Sequence, residues 1–144
     1  MFSKACEYAI KATLHIAEQS LQNKRIILPE IAKAIDSPVA FTAKILQQLA
    51  KNKIVQSSKG PNGGFSISEQ AIQTFKLKDI VLAIDGESIF TECGLGLKKC
   101  DENSPCPIHH KFKSIRAEII DMLENTSLKE LSKQLESGVT FLKI

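Results

Sequence analysis

Residues Pro29–Ser68 read PEIAKAIDSPVAFTAKILQQLAKNKIVQSSKGPNGGFSIS. Pro29 suits a first helical turn, where its missing N–H goes unused anyway, and Ile31, Ala32 and Ile35 supply one apolar face. Asp36-Ser37-Pro38 breaks the pattern. Ser37 is a good N-cap and Pro38 a good first residue for a second helix. That helix runs to Asn52, with Val39, Ile45, Leu46 and Leu49 inward and Phe41 near its start. Two helices across a tight turn make a helix-turn-helix pattern. Ile54–Ser58 and Phe65–Ser68 then read as short strands around Lys59-Gly60-Pro61-Asn62-Gly63-Gly64. Asn-Gly predicts a type I′ hairpin turn, whose two central residues need positive φ. A helix-turn-helix followed by a Gly-rich hairpin is a winged helix. The expected fold class is mainly α with a small β wing.

In such a motif the second helix enters the major groove with its first residues facing base edges. Val39, Ala40, Phe41, Thr42 and Lys44 would line that DNA face, with Thr42 reaching a base or phosphate. The wing residues Lys59, Gly60, Pro61, Asn62 and Gly63 would lie on the DNA backbone or in the minor groove. Charge agrees. Residues 1–60 hold nine Lys/Arg against four Asp/Glu, a net of +5, whereas residues 61–144 hold ten against twelve, a net of −2. A basic first part implies an anionic partner, here double-stranded DNA.

Upstream, Ser3–Leu21 has apolar and small residues at helical spacing: Cys6, Ala9/Ile10, Thr13 and Ile16/Ala17. Cys6 reads as a small core residue. Glu7 lies one step off the stripe and can pair with Lys11. Ile26–Leu28 is long enough only for an edge strand. Downstream, Leu77, Ile80, Val81 and Ile84 share one helical face that Gly86 ends. Pro107 opens a long helix through Glu124, where Ile108, Phe112, Ile115, Ile119 and Met122 are spaced 4, 3, 4, 3. This heptad-like seam predicts pairing with a second copy, a homodimer. Ser127 and Glu130 form a capping box for a last helix, and the tail GVTFLKI is apolar enough to dock.

Between these helices lies Cys93–His110, CGLGLKKCDENSPCPIHH, with spacing C-x6-C-x5-C-x2-H. Residues 86–106 show neither helical nor strand periodicity, and an irregular connection of about twenty residues is usually functional or disordered. Thiolates and an imidazole on a loop suit a metal or an iron–sulfur cluster. His109 lies three residues from Cys106 on a first helical turn, so both can reach one metal. Two rivals stay open: a structural zinc on Cys93, Cys100, Cys106 and His109, and a thiol redox switch without metal. The chain divides accordingly into a DNA-binding head (1–85), a cysteine-bearing loop (86–106) and a dimerisation helix with a C-terminal helix (107–144).

The 144 residues suffice for one domain that needs neither disulfide nor metal to fold. No run of about eighteen apolar residues is present, so no membrane span is expected. The start MFSKACEYAIKA lacks the order of a secretory signal. A cytoplasmic setting follows, where clustered cysteines more often ligate than pair. No nucleophile–base arrangement is visible, and Gly60–Gly64 lacks the lysine and helix of a phosphate loop. An enzyme is not expected.

The order of elements, KGPNGGF in the wing, the Cys93/Cys100/Cys106 loop and the long helix after it resemble the Rrf-type winged-helix regulators, the IscR-, NsrR- and RirA-like bacterial proteins. The resemblance covers nearly the whole chain. It implies a homodimeric transcription regulator, a repressor, whose operator binding depends on an iron–sulfur cluster, of the 2Fe–2S type. It implies Cys93, Cys100 and Cys106 as cluster ligands. His109 matches the residue that completes the set in IscR-like members. Glu7 of the partner subunit matches the carboxylate used in NsrR-like members. The first cysteine gap, six residues, is one longer than in the best-known members.

Overall fold

Ser3 opens the first helix. Its hydroxyl accepts the Cys6 amide at 3.0 Å, satisfying one of the donors that a helix start leaves free. Helix α1 then runs Lys4–Leu21 in the computed structural model, which describes residues 1–144. Its buried face is Cys6, Ala9, Ala12, Thr13, Leu14, Ile16 and Ala17. Helix α2 (Leu28–Ala34) and helix α3 (Val39–Lys51) form the helix-turn-helix. Ile31 and Ile35 from the first helix and turn, and Ile45, Leu46 and Leu49 from the second, enter one apolar core with Ile16, Ile54, Ile72 and Ile80.

The turn differs from expectation in detail. Pro38, not Ser37, is the N-cap of α3, and the helix starts at Val39. The Thr42 hydroxyl lies 2.9 Å from both Ser37 Oγ and the Pro38 carbonyl. Asp36 takes φ 54° to reverse the chain. Val39, expected inward and also on the DNA face, is 48% exposed as the first residue of α3.

Strands β1 (Gln56–Ser58) and β2 (Gly64–Ser66) pair antiparallel, Ser58 opposite Gly64. The predicted edge strand at Ile26–Leu28 reduces to Ile26, which exchanges hydrogen bonds with Phe65 at 3.1 and 2.8 Å. Leu28 already belongs to α2. The wing turn is not type I′, since neither Asn62 nor Gly63 has positive φ. Instead Pro61 takes the second position of a turn closed by Gly63 N–H to the Gly60 carbonyl at 2.9 Å. A side chain at Gly63 would strike the Ser58 carbonyl oxygen at 2.4 Å, so crowding requires glycine there. At Gly64 both reasons apply: φ is +134°, and a Cβ would sit 2.9 Å from the Ile26 carbonyl oxygen.

Helix α4 (Glu69–Thr74), absent from the sequence expectation, begins where the Ser68 hydroxyl accepts the Ala71 amide at 3.1 Å. Helix α5 (Leu77–Asp85) buries Ile80 and Val81 and ends at Gly86 with φ +68°. A short helix, α6 (Ser88–Thr91), lies inside the segment expected to be irregular. Helix α7 (His109–Asn125) begins two residues after Pro107, because Cys106–His109 first closes a turn, His109 N–H to the Cys106 carbonyl at 2.9 Å. Helix α8 (Leu128–Glu136) starts at Ser127, whose hydroxyl accepts the Glu130 amide at 3.1 Å. It packs on α1 and α4, and Leu128 enters the main core. The segment 107–144 is therefore divided: α8 belongs to the head, and α7 joins it through Cys6, Val81 and Leu123. Of the tail expected to dock, Leu142 alone packs on the core; Val139 and Phe141 are 71% and 74% exposed.

Leu46→Ala should lower unfolding free energy by about 2–5 kcal/mol, the usual range for emptying a closed core site. Val39→Ala should change it by under about 0.5 kcal/mol, as for other exposed positions. Urea denaturation checks both. Gly64→Ala should lose about 1–3 kcal/mol through backbone strain, with a larger loss if β2 leaves Ile26.

Candidate metal centre and nucleic-acid interface

On α3 the free face is built from Val39, Ala40, Lys44, Gln47, Gln48 and Lys51, all exposed. Thr42, expected to touch DNA, is fully buried and ties α3 to the turn before it. Its hydroxyl is held inside the protein and offers nothing to a base. Phe41 is half-buried, its ring meeting Tyr8 edge to face with centroids 5.8 Å apart. Gln47, Gln48 and Lys51 went unread in the sequence. Helical spacing from Ala40 and Lys44 would have found them, since steps of three and four stay on one face.

At the wing, Lys59, Gly60, Pro61 and Asn62 are exposed and Gly63 is half-buried. Arg25, read from sequence as part of a polar turn, donates from Nη1 to the Asn62 carbonyl at 3.3 Å. It therefore braces the wing tip and adds a cation beside Lys59.

The cysteine loop is shaped by α7. Gly94 lies flat on the Phe112 ring; a Cβ there would come within 2.8 Å of it. Gly96, at φ +70°, turns the chain back, its N–H donating to the Cys93 carbonyl at 2.9 Å. Backbone donors at Leu95 and Leu97 hold the Cys93 pKa below the ordinary thiol value, with smaller help from Cys106 and Arg116. The Asn103 amide and then Lys99 keep the Asp101 carboxyl low in the same way.

The loop brings the predicted ligands together as two pairs. Cys93 Sγ lies 3.7 Å from Cys106 Sγ, and Cys100 Sγ lies 3.6 Å from His109 Nδ1. All the cysteines are free thiols. Two thiolates on one tetrahedral metal stand about 3.8 Å apart, and a thiolate and imidazole about 3.6 Å. Each pair thus has the spacing of two ligands on one metal. No three such side chains surround a common point, and the four-ligand zinc site considered from sequence has no support in this geometry. Thiolates and an imidazole are donors of the kinds that an iron–sulfur group takes. His109 is 4% exposed and its Nε2 has no hydrogen-bond partner. Arg116 Nη1 lies 3.7 Å from Cys100 Sγ.

Two other residues named from sequence lie elsewhere. The Cys6 thiol is fully buried and pushed up to about 12, first by burial and then by Asp85. It is an inert core group. Glu7 pairs with Lys4 at 2.8 Å, not with Lys11, and that contact lowers its pKa. Lys11 instead lies over the Tyr8 ring at 5.8 Å. Ile108, the N-cap of α7, and Ile115 and Met122 on it are 37%, 54% and 40% exposed. Phe112 and Ile119 of the same seam are half-buried, against Gly94 and the small second core.

No helix is long and apolar enough to cross a membrane. The family profile described as Rrf2, iron-dependent transcriptional regulator, matches residues 2–134. An HTH-type transcriptional regulator of Aquifex aeolicus is 33% identical over 134 residues, covering 91% of this chain and 90% of that protein. The HTH-type transcriptional regulator IscR of Vibrio campbellii is 28% identical over 129 residues, covering 90% and 75%. Among solved structures, CymR, the global cysteine regulator of B. subtilis, superposes with TM-score 0.75 at 19% identity, covering 92% of this chain and 96% of that one. T. potens IscR does so with TM-score 0.72 at 16% identity, covering 97% and 91%. At those identities the likeness is one of fold, and it is the winged-helix fold described above. The profile match over nearly the whole chain carries more: this protein belongs to the Rrf2 family and is a DNA-binding transcriptional regulator, not an enzyme.

Proposed function

We propose that this regulator is a homodimeric repressor that grips a pseudo-palindromic operator through α3 and the wing, and that an iron–sulfur cluster on Cys93, Cys100, Cys106 and His109 modulates that grip. The observation that carries the cluster reading is the pairing at 3.7 and 3.6 Å, two couples each spaced for one metal. The group would be of the 2Fe–2S type and would supply a redox-active centre open to attack by oxygen or nitric oxide. His109 is favoured as fourth ligand over Glu7 of the partner subunit, because its Nδ1 already faces Cys100. The apolar seam Ile108, Phe112, Ile115, Ile119 and Met122 is the surface for the second copy, and its exposed members recur at i, i+7 and i+14 on α7. Val39, Ala40, Lys44, Gln47, Gln48 and Lys51 meet the major groove, with Lys59 to Gly63 and Arg25 at the flanking backbone.

The coupling route runs through the head's own hydrogen bonds. Asp85, the last residue of α5, accepts the Ser3 N–H at 3.0 Å and the Ser3 hydroxyl. The cysteine segment leaves from Gly86, directly after it. Ordering that segment fixes how α5 hands over to α7 and therefore how two heads are spaced. A dimer fits its operator only when that spacing matches about one turn of DNA or a multiple. A differential free energy of about 1–3 kcal/mol between the two loop states is typical for such a coupling.

A second reading has its own support: Cys93 and Cys106 are near enough to close a disulfide after loss of two protons and two electrons to an oxidant. The absorption spectrum and the iron and acid-labile sulfide content of anaerobically purified protein separate the readings. The cluster reading expects a visible chromophore with about equal iron and sulfide, lost in Cys100→Ala while the dimer stays folded. Colourless protein with a Cys93–Cys106 disulfide after mild oxidation supports the alternative. For the interface, Lys44→Ala and Lys59→Ala should each weaken operator binding and lower the slope of log K against log salt by about one. Gel-shift titrations at several salt concentrations measure this, and two unchanged slopes would remove both residues from the DNA face.

A further inference from the structure

Arg116 touches the cysteine loop at two places, beside Cys93 and at Cys100. It projects from α7 two turns beyond His109. Its Nη2 donates to the Glu92 carbonyl, the last carbonyl before Cys93. Its Nη1 lies 3.7 Å from Cys100 Sγ. The guanidinium carbon sits 4.9 Å from the centre of the Phe112 ring, and that same ring carries Gly94. Its Nε is buried without a partner. A planar fork with fixed donors can span two acceptors and stack on a ring at once, which a lysine cannot do. The cation over the ring adds to the hold.

We propose that Arg116 is the positioning residue of the cysteine centre: it latches the loop onto α7 and brings a fixed positive charge against the sulfur set. Both contacts are to protein atoms, so the latch can be tested in protein without a bound group. The charge acts on whatever negative character the sulfurs carry. Hydrogen bonds and nearby charge at the sulfurs set the potential of an iron–sulfur group, so a cation at Cys100 favours the reduced state. This role rests on the cluster reading for its electrostatic half only.

The test compares wild type, Arg116→Gln and Arg116→Lys in the full-length protein. In chelator-treated, reduced protein, trypsin cleavage after the exposed Lys98 and Lys99 reads loop opening. Both variants should be cut about tenfold faster than wild type, the order expected for losing one charge-assisted hydrogen bond. Thermal unfolding, little changed, establishes that the rest of the fold is intact. In anaerobic protein carrying its chromophore, the midpoint potential of Arg116→Gln should move to a more negative value, while Arg116→Lys stays near wild type. Equal cleavage of all three proteins overturns the latch. Faster cleavage with an unmoved potential in Arg116→Gln overturns the charge role and leaves a purely structural contact. Wild type that carries no iron or sulfide defeats the cluster reading instead, and the trypsin comparison then decides the latch by itself.

Discussion

The whole molecule depends on how closely other helices can approach α1. Cys6, Ala9, Ala12 and Ala17 on its buried face have no solvent exposure. Small side chains let neighbouring backbones come near, and α3, α5 and α8 all pack on this one helix. The Thr13 hydroxyl, also fully buried, donates back to the Ala9 carbonyl at 2.8 Å and leaves no polar atom unsatisfied. Larger residues on this face would push the recognition helix and the helix leading to the cysteine loop apart together. The reading head and the start of the sensor segment are thus set by the same surface.

Two cysteines show how environment decides chemistry. Cys6 lies among apolar groups beside the Asp85 carboxylate, so its thiolate is strongly disfavoured. Cys93 receives two backbone amides from a loop wound by Gly94 and Gly96, and its thiolate is favoured. Residue type is identical; burial and a carboxylate oppose the thiolate at Cys6, and backbone donors support it at Cys93. Reactive and ligating cysteines sit in such donor-rich places, and structural ones do not.

The helix-turn-helix carries a similar division of labour. Thr42 closes the turn by bonding Ser37 and Pro38, and the residues on either side of it reach solvent or the Tyr8 ring. The angle between α2 and α3 is therefore fixed from inside by a hydroxyl. The outer face, bearing Lys44, Gln47 and Gln48, is left free. The wing is braced separately, by Ile26 along one strand and by Arg25 at its tip.

Periodicity and the Gly-rich hairpin showed the winged helix, the α1 and α5 faces, the stop at Gly86 and the sulfur-bearing loop, whereas on α7 the buried residues are His109 and Leu123, outside the expected seam. The former depend on spacing along the chain, which a sequence displays directly. Short elements escaped it: α4 and α6 have six and four residues, too few turns to show a period. Thr42 stands at helical spacing from Ile45, Leu46 and Leu49 and so belongs to the core face of α3, Val39 is its exposed first residue, and Pro61 takes a turn position that excludes type I′. What only the tertiary structure decided was the partnering of distant groups. Cys93 with Cys106, Cys100 with His109, and Arg116 with the Glu92 carbonyl all meet because α7 folds back across the loop. Such meetings follow from how α7 packs against α1 and α5 through Cys6, Val81 and Leu123. That packing is a property of three-dimensional shape, and no local pattern in the chain encodes it.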